Sequence, residues 1–441
     1  MQSVQIHAEY EPETNVAPVP LHAIPQLSRW SLVAIVAGNA IEFFDFLTYS
    51  FFAVYIGRAF FPTGNALSSL LLSLATFGVG FFTRPLGGLL IGAYADRAGR
   101  RPALLLTISL ISIGTMGVAL TPSYATIGLA APIILVLSRL LQGLALGGEV
   151  GPSTAMLLEC APIGRRSAFV SWQGASQGVA ILAAGIAGLA LSTLLTKEQL
   201  GDWGWRIPFV LGLTIIPVGL YIRRRLPETL AAPGKRGGSE VLRLLVARHL
   251  RLLVLGVLTL MCLTISTYVS NYMTTYALTT LGMPASEAMT AAVAQGAAMM
   301  IGAVYGGRLA DRLGYKRVMI APRALLMLVI YPAFLLLVHV KSEWALIGVT
   351  AVVSILTSMS GAATLAALTE AFPNEVRSSG LAIAYAIAVS VFGGTTQFVI
   401  AWLIGVTTDP LSPAYYVIAS SVLGLWAMVK LPQNDARGSL D

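Results

Sequence analysis

The sequence predicts an all-α membrane protein: twelve transmembrane helices in two six-helix pseudo-symmetric bundles, with the N and C termini cytoplasmic. Three observations predict it. Apolar residues make up 56% of the 441 residues and charged ones only 11%, too few for a water-soluble surface of this size. Basic residues cluster in alternate loops. Two motifs each occur twice, at nearly one offset.

A helix that crosses a bilayer needs ~20 mostly apolar residues. Such stretches begin near Trp30, Leu70, Pro102, Ile127, Ser167, Arg206, Leu250, Glu287, Val318, Trp344, Ser378 and Ser412. Residues 1–28 ahead of them are polar, with Glu9, Glu11 and Glu13, and lack the basic start and apolar run of a signal peptide. They read as a disordered cytoplasmic tail. Residues 29–222 then form an N-terminal bundle, 223–249 a basic cytoplasmic linker, 250–430 a C-terminal bundle and 431–441 a cytoplasmic tail.

Orientation follows from the loops. Arg97, Arg100 and Arg101, then Arg165 and Arg166, the stretch Arg223 to Arg251, Arg312 with Lys316 and Arg317, and Arg377 fall on one side. The other side holds little beyond Arg58, Lys197 and Lys341. Basic loops stay in the cytoplasm, so the net charge of +8 reports topology and no nucleic-acid partner is expected.

The repeat is Gly92-x-x-x-Asp96-Arg97-x-Gly99-x-Arg101 against Gly307-x-x-x-Asp311-Arg312-x-Gly314-x-Lys316, about 215 residues apart. A second pair, Glu159-x-x-Pro162-x-x-x-Arg166 and Glu370-x-x-Pro373-x-x-x-Arg377, recurs after about 211. Two independent motifs at nearly one offset make the halves structural repeats. Asp96 and Asp311 can cap a neighbouring helix N-terminus or pair with an arginine, while Arg97, Arg101 and Arg312 hold their loops inside. Glu159 and Glu370, at cytoplasmic helix ends with Arg377 close by, suit an inner gate.

Charges inside a membrane helix need a partner, a wet cavity or a function. Asn39, Glu42 and Asp45 lie three residues apart on one face of the first helix, with Tyr49 a turn further. Two carboxylates so placed repel each other, and one can carry a proton at neutral pH; Asp45 is favoured. The alternative is a permanently ionised pair neutralised by arginines. Arg84 and Arg139 are the only arginines placed well inside the membrane. They either join Glu42, Asp45 and Glu149 in a buried network or grip a substrate carboxylate with the guanidinium fork.

On the fourth helix Gln142, Leu146, Glu149 and Ser153 share a face, which makes Glu149 a second proton carrier or a structural partner for Arg139. Gln173, Ser176 and Gln177 give the fifth helix a polar stripe, which either hydrogen-bonds neighbouring helices together or, the favoured reading, lines a water-filled cavity. Tyr268, Asn271, Tyr272 and Tyr276 do so on the seventh, with Gln295, Tyr385 and Gln397 extending the lining. The candidate substrate contacts are thus Asn39, Arg84, Arg139, Gln142, Gln173, Gln177, Tyr268, Asn271 and Tyr272.

Other chemistries find no support. Cys160 and Cys262 are far apart, and the four histidines fall in tails, loops or helix ends. No Gly-rich loop leads into Lys-Ser or Lys-Thr, no cluster has metal-ligand spacing, and no nucleophile pairs with a base. Neither cofactor nor metal nor enzymatic activity is expected.

The doubled Gly-x-x-x-Asp-Arg-x-Gly loop resembles the signature of the major facilitator superfamily. The stretches Gly38-Asn39-x-x-Glu42-Phe-Phe-Asp45, Thr83-Arg84-Pro85, Arg139-x-x-Gln142-Gly143, Gly147-Gly148-Glu149 and Trp203-x-Trp205-Arg206-x-Pro208 narrow the resemblance to its metabolite:proton symporter family. Within that family, Ser171-Trp172-Gln173-x-x-Ser176-Gln177 and Thr369-Glu370 are most similar to the citrate and tricarballylate carriers. The resemblance implies a proton-coupled symporter of a small carboxylate in the bacterial inner membrane, working by alternating access and functional as a monomer. Related carriers of α-ketoglutarate or of zwitterionic osmolytes share the wider motifs. A non-transporting solute sensor is the expectation from another class; such sensors append a signalling domain, and the tails here are short.

Overall fold

The computed structural model describes residues 29–98, 100–147, 157, 161–162, 164–213, 217, 247–373 and 377–432; the side chains of 29–35, 92–93, 95–97, 100–101, 104 and 377–379 lie outside that description. Among the described residues every regular element is helical. Helix α1 (Arg29–Phe51) turns by 68° at Phe52 into α2 (Ala53–Phe60). Phe52 departs from helical dihedrals, at φ −102° and ψ 13°, while keeping its backbone bonds to Thr48 and Ile56, and α2 then buries Ile56 and Phe60, the latter edge-on to Trp205. Asn65 starts α3 (Ala66–Phe82) by accepting the backbone N–H groups of Leu67 and Ser68, two donors a helix N-terminus otherwise leaves unpaired. A break at Thr83 separates it from α4 (Arg84–Ala98).

The chain continues through α5 (Arg100–Leu120), α6 (Ala130–Gly147) and α7 (Arg166–Leu194). Then come α8 (Leu250–Thr279), α9 (Ala285–Leu313), α10 (Tyr315–Val340) and α11 (Glu343–Ala371), the last capped by the Ser342 hydroxyl on Ala345 N. Helix α12 (Arg377–Ala388) runs through a five-residue π turn, Val389–Gly393, into α13 (Gly394–Thr407). Helix α14 (Ser412–Lys430) opens with Pro413, where the missing N–H costs nothing.

Nine helical stretches among the described residues, with α3 and the start of α4 taken as one and α12 and α13 as another, are long and apolar enough to cross a membrane, or ten with the bent α1–α2 pair as one. The apolar part of α5, Leu105–Leu120, is shorter. Most of the span expected from Arg206, and of the 223–249 linker, lies outside the described residues. Sequence periodicity announced neither the bend at Phe52 nor the π turn.

In lipid, helices associate through close packing more than through burial of apolar area. The α7–α9 contact shows how. A Cβ at Gly178 would come within 2.7 Å of Met300 N, and one at Gly185 within 2.7 Å of Val293 N, so only glycine lets the two backbones approach this closely. One buried cluster joins α1, α2, α3, α5, α6 and α7 with Tyr268, Met289 and Val389; two others fill the space among α8 to α14.

Candidate functional site

Helices α7, α8, α9, α11 and α12, with Phe43 of α1, enclose a cavity of about 120 Å³. Its wall is largely apolar, studded with neutral polar groups: Ser171, Gln173 and Gln177 on α7, Thr264, Thr267 and Tyr268 on α8, Thr357 and Ser358 on α11, and Tyr385 on α12. A pocket lined mainly by apolar groups with a few fixed hydrogen-bonding side chains is the usual form of a small-molecule site. Of the expected contacts, Gln173, Gln177 and Tyr268 line this cavity, joined by Tyr385. Asn39 stands behind Gln173: it accepts the Gln173 amide at 3.0 Å and donates to the Ser176 hydroxyl at 2.5 Å, which fixes both amides.

Asn271 and Tyr272 do not line it. Asn271 accepts the amide of Gln295 on α9, and Tyr272 is packed in an apolar cluster with Leu70, Ile265 and Val269. Three and four-residue spacings put Tyr268 and Tyr272 on neighbouring faces, and the packing of α8 against several helices gives those faces different neighbours.

Beside the cavity lies a buried polar chain. Arg139 on α6 donates from NH1 to Gln142 Oε1 at 2.7 Å, and Gln142 donates from Nε2 to Asp45 Oδ2 at 2.6 Å. The Thr115 hydroxyl of α5 donates to the same carboxylate oxygen and lies 3.1 Å from Gln142 Nε2. Among the described residues Asp45 Oδ1, which is buried, has no hydrogen-bond partner, and neither have Nε and NH2 of Arg139. The Arg139 guanidinium sits over the rings of Phe46, Tyr49 and Phe77 at 4.2, 4.6 and 5.2 Å. Arg84 is likewise held over Phe81 and Phe46, at 4.2 and 4.6 Å. Aromatic faces attract a cation and replace part of its lost hydration, though stripping a charge of water remains costly without hydrogen bonds.

This differs from the expected ion-pair network. Among the described residues no ion pair within 4 Å joins Arg84 or Arg139 to a carboxylate; an amide stands between Arg139 and Asp45, and rings surround Arg84. Glu42 is buried on the same face of α1. Glu149 lies outside the described residues. Arg84 and Arg139 are also not the only arginines of the interior. Arg323 on α10 is fully buried, donating to the Cys262 carbonyl at 3.3 Å and the Ser266 hydroxyl at 2.6 Å. A charge five residues past Val318, inside an apolar stretch, was signal enough to find it. Thr115 gave no such signal, because a hydroxyl in an apolar helix usually turns back to its own preceding turn, and Ile111 O does lie 2.9 Å from this one, competing with Asp45 for its proton.

Two sets of contacts join helices near the two ends. At the end carrying the repeated basic loop, Asp311 of α9 accepts Ser167 N at 2.9 Å and Ala168 N at 3.0 Å, capping α7. Glu370 of α11 meets Arg166 at 3.6 Å and the Tyr315 hydroxyl at 2.9 Å. Arg312 is exposed beside them. Glu159 and the side chains of Asp96, Arg97, Arg101 and Arg377 lie outside the described residues. At the opposite end the contacts are neutral: Gln397 of α13 donates to the Ser50 hydroxyl of α1 at 2.6 Å, and Thr275 of α8 reaches Ser50 O at 3.5 Å.

A model of the Major Facilitator Superfamily matches residues 35–394 and, in a second match, 257–439. A citrate-proton symporter of Klebsiella pneumoniae is 35% identical over 428 residues, 96% of each chain. An alpha-ketoglutarate permease of Escherichia coli K12 is 35% identical over 376 residues, covering 84% of this chain and 86% of its own. The crystal structure of a D-xylose-proton symporter superposes with a TM-score of 0.73 at 19% identity, covering 92% of this chain and 98% of that one.

Proposed function

The chain belongs to the major facilitator superfamily, and from that premise we propose that it is a proton-coupled symporter that takes up a small organic acid, citrate or a related tricarboxylate first. The fold in this reading has twelve spans: the nine long helices, the bent α1–α2 pair, α5, and a segment from Arg206. They divide into bundles at 29–222 and 250–430, with both termini cytoplasmic in a bacterial inner membrane, and the monomer is the working unit.

One observation carries the coupling: a buried carboxylate, Asp45, is linked through an amide to Arg139, which the ring of Phe77 separates from Tyr268 of the cavity wall. Protonating Asp45 removes a negative charge from a place where charge is expensive. It thereby changes how strongly the Arg139 cation is held and how strongly an arriving anion is drawn in. Glu42 and Glu149 are the further proton carriers. Solute binds in the cavity against Gln173, Gln177, Tyr268 and Tyr385, with Arg84 and Arg139 supplying positive potential from behind. The two bundles rock about it, and the Asp311 and Glu370 contacts hold one end state shut.

Near-complete alignment with a citrate-proton symporter supports the tricarboxylate. The equal identity of an alpha-ketoglutarate permease supports a dicarboxylate as the second reading. Uptake of labelled citrate into proteoliposomes, with and without an inward proton gradient and competed by tricarballylate, α-ketoglutarate, shikimate and betaine, separates them. Gradient-driven uptake blocked only by tricarboxylates is the expected result. Gradient-driven uptake of another competitor would discard citrate, and no gradient effect on any solute would discard proton symport.

A further inference from the structure

The two oxygens of Asp45 have different surroundings. Oδ2 takes both donors, the Thr115 hydroxyl and the Gln142 amide. Oδ1 has none among the described residues, and it faces Gly212, where a Cβ would lie 3.4 Å from it. Hydrogen bonds to a carboxylate favour its charged form, whereas a bare oxygen in an apolar wall favours the acid. We infer that Asp45 takes its proton on Oδ1, and that Thr115 and Gln142 are positioning residues that set the pH of this step and relay it to Arg139.

Among the described residues the surroundings leave few other groups to do this. On α6 the charged group facing Asp45 is Arg139, reached through Gln142. On α1 itself Glu42 and Tyr49 are a turn away, and Arg84 of α4 lies beyond, on the far side of Phe46. Helix α5 offers Thr115, the segment through Gly212 a backbone, and α3 the ring of Phe77, which packs on Phe46. Helix α7 meets α1 through Ser176 and Gln173 at Asn39. None of these four is titratable. When the proton arrives at Oδ1, Oδ2 becomes a weaker acceptor, the Gln142 amide is held less tightly, and the Arg139 fork loses its fixed partner. Gln142, expected from sequence to touch solute, is in this account a relay instead.

The inference rests on Asp45 being the coupling carboxylate, and the test keeps the two apart. In proteoliposomes holding equal amounts of protein, the pH at half-maximal gradient-driven uptake is measured alongside solute exchange, which needs no net proton movement. Thr115→Val removes a donor from the carboxylate and is expected to raise that pH by on the order of one unit, with Thr115→Ser restoring it. Gly212→Ser supplies a donor to Oδ1 and is expected to lower it by a similar amount, while Gly212→Ala adds the bulk without the donor and leaves the midpoint in place. Gln142→Leu is expected to keep exchange and lose at least tenfold in accumulation. Unmoved midpoints in Thr115→Val and Gly212→Ser, with Asp45→Asn abolishing accumulation, would overturn the inference alone. Accumulation intact in Asp45→Asn would overturn the coupling role beneath it. Equal loss of exchange and accumulation in every variant would mean a structural role and also overturn the inference.

Discussion

Asp311 and Ser167 are joined by a hydrogen bond of 2.9 Å from a backbone N–H to a carboxylate, tying the end of α9 to the start of α7. The neighbouring Ala168 N–H goes to the second oxygen. A charged cap of this kind adds a favourable helix-dipole interaction to two hydrogen bonds.

Replacing Asp311 with alanine should therefore weaken this end by about 1–2 kcal/mol, a shift of roughly five- to thirty-fold towards the state open there. Glu370→Gln should do less, because Arg166 is half exposed and such pairs contribute about 0–1 kcal/mol. Spin-label distances across that end, measured in both variants, check the ranking. A larger effect from Glu370 would reverse it.

Asp45→Asn keeps the shape of the side chain and can no longer exchange a proton. Solute exchange should survive within a few fold while accumulation against a gradient disappears. Parallel exchange and uptake assays read this directly.

The cavity hydroxyls should act on affinity. Tyr385→Phe and Tyr268→Phe each remove one neutral hydrogen-bonding group at the cavity wall, which should raise KM about two- to tenfold with little change in kcat. A fall in kcat alone would assign these tyrosines to gating.

Gly185→Leu should be the most disruptive of these substitutions for the folded state. Its side chain would have to displace the α9 backbone at Val293, and overpacking costs on the order of 1–3 kcal/mol or more. Thermal unfolding in detergent should show a lowered midpoint, whereas Gly348→Leu, where an added Cβ meets nothing within 4 Å, should leave it unchanged.

The span pattern was legible because lipid imposes a single demand, a long apolar helix, that composition alone reveals. The same demand made Asp45, Arg139 and Asn39 conspicuous: each is a polar residue where none is needed. Their partners were harder to see. Gln142 stood out, but whether it faced solute or Asp45 depends on how α6 turns against α1, and helical spacing within one chain segment does not record that. Thr115 was hidden among ordinary helix hydroxyls. The aromatic seats of Arg84 and Arg139 were hidden too, because Phe46, Phe77 and Phe81 look like lipid-facing residues until α1 and α3 are brought together. Asp311 was legible by repetition, and its helix-capping contact was one of two alternatives that its position allowed.

The π turn at Val389–Gly393 sets the angular phase of everything after it. It accommodates one residue more than an α-helical turn, so α13 starts about 100° out of register with α12. That offset aims Gln397 at Ser50 and lays Gly394 against Gly78. Were the turn to tighten into plain α-helix, the residues beyond it would swing as a block, and the Gln397–Ser50 and Gly394–Gly78 contacts would part together while Thr275 stayed in place. The winding of one turn thus decides where half a span points.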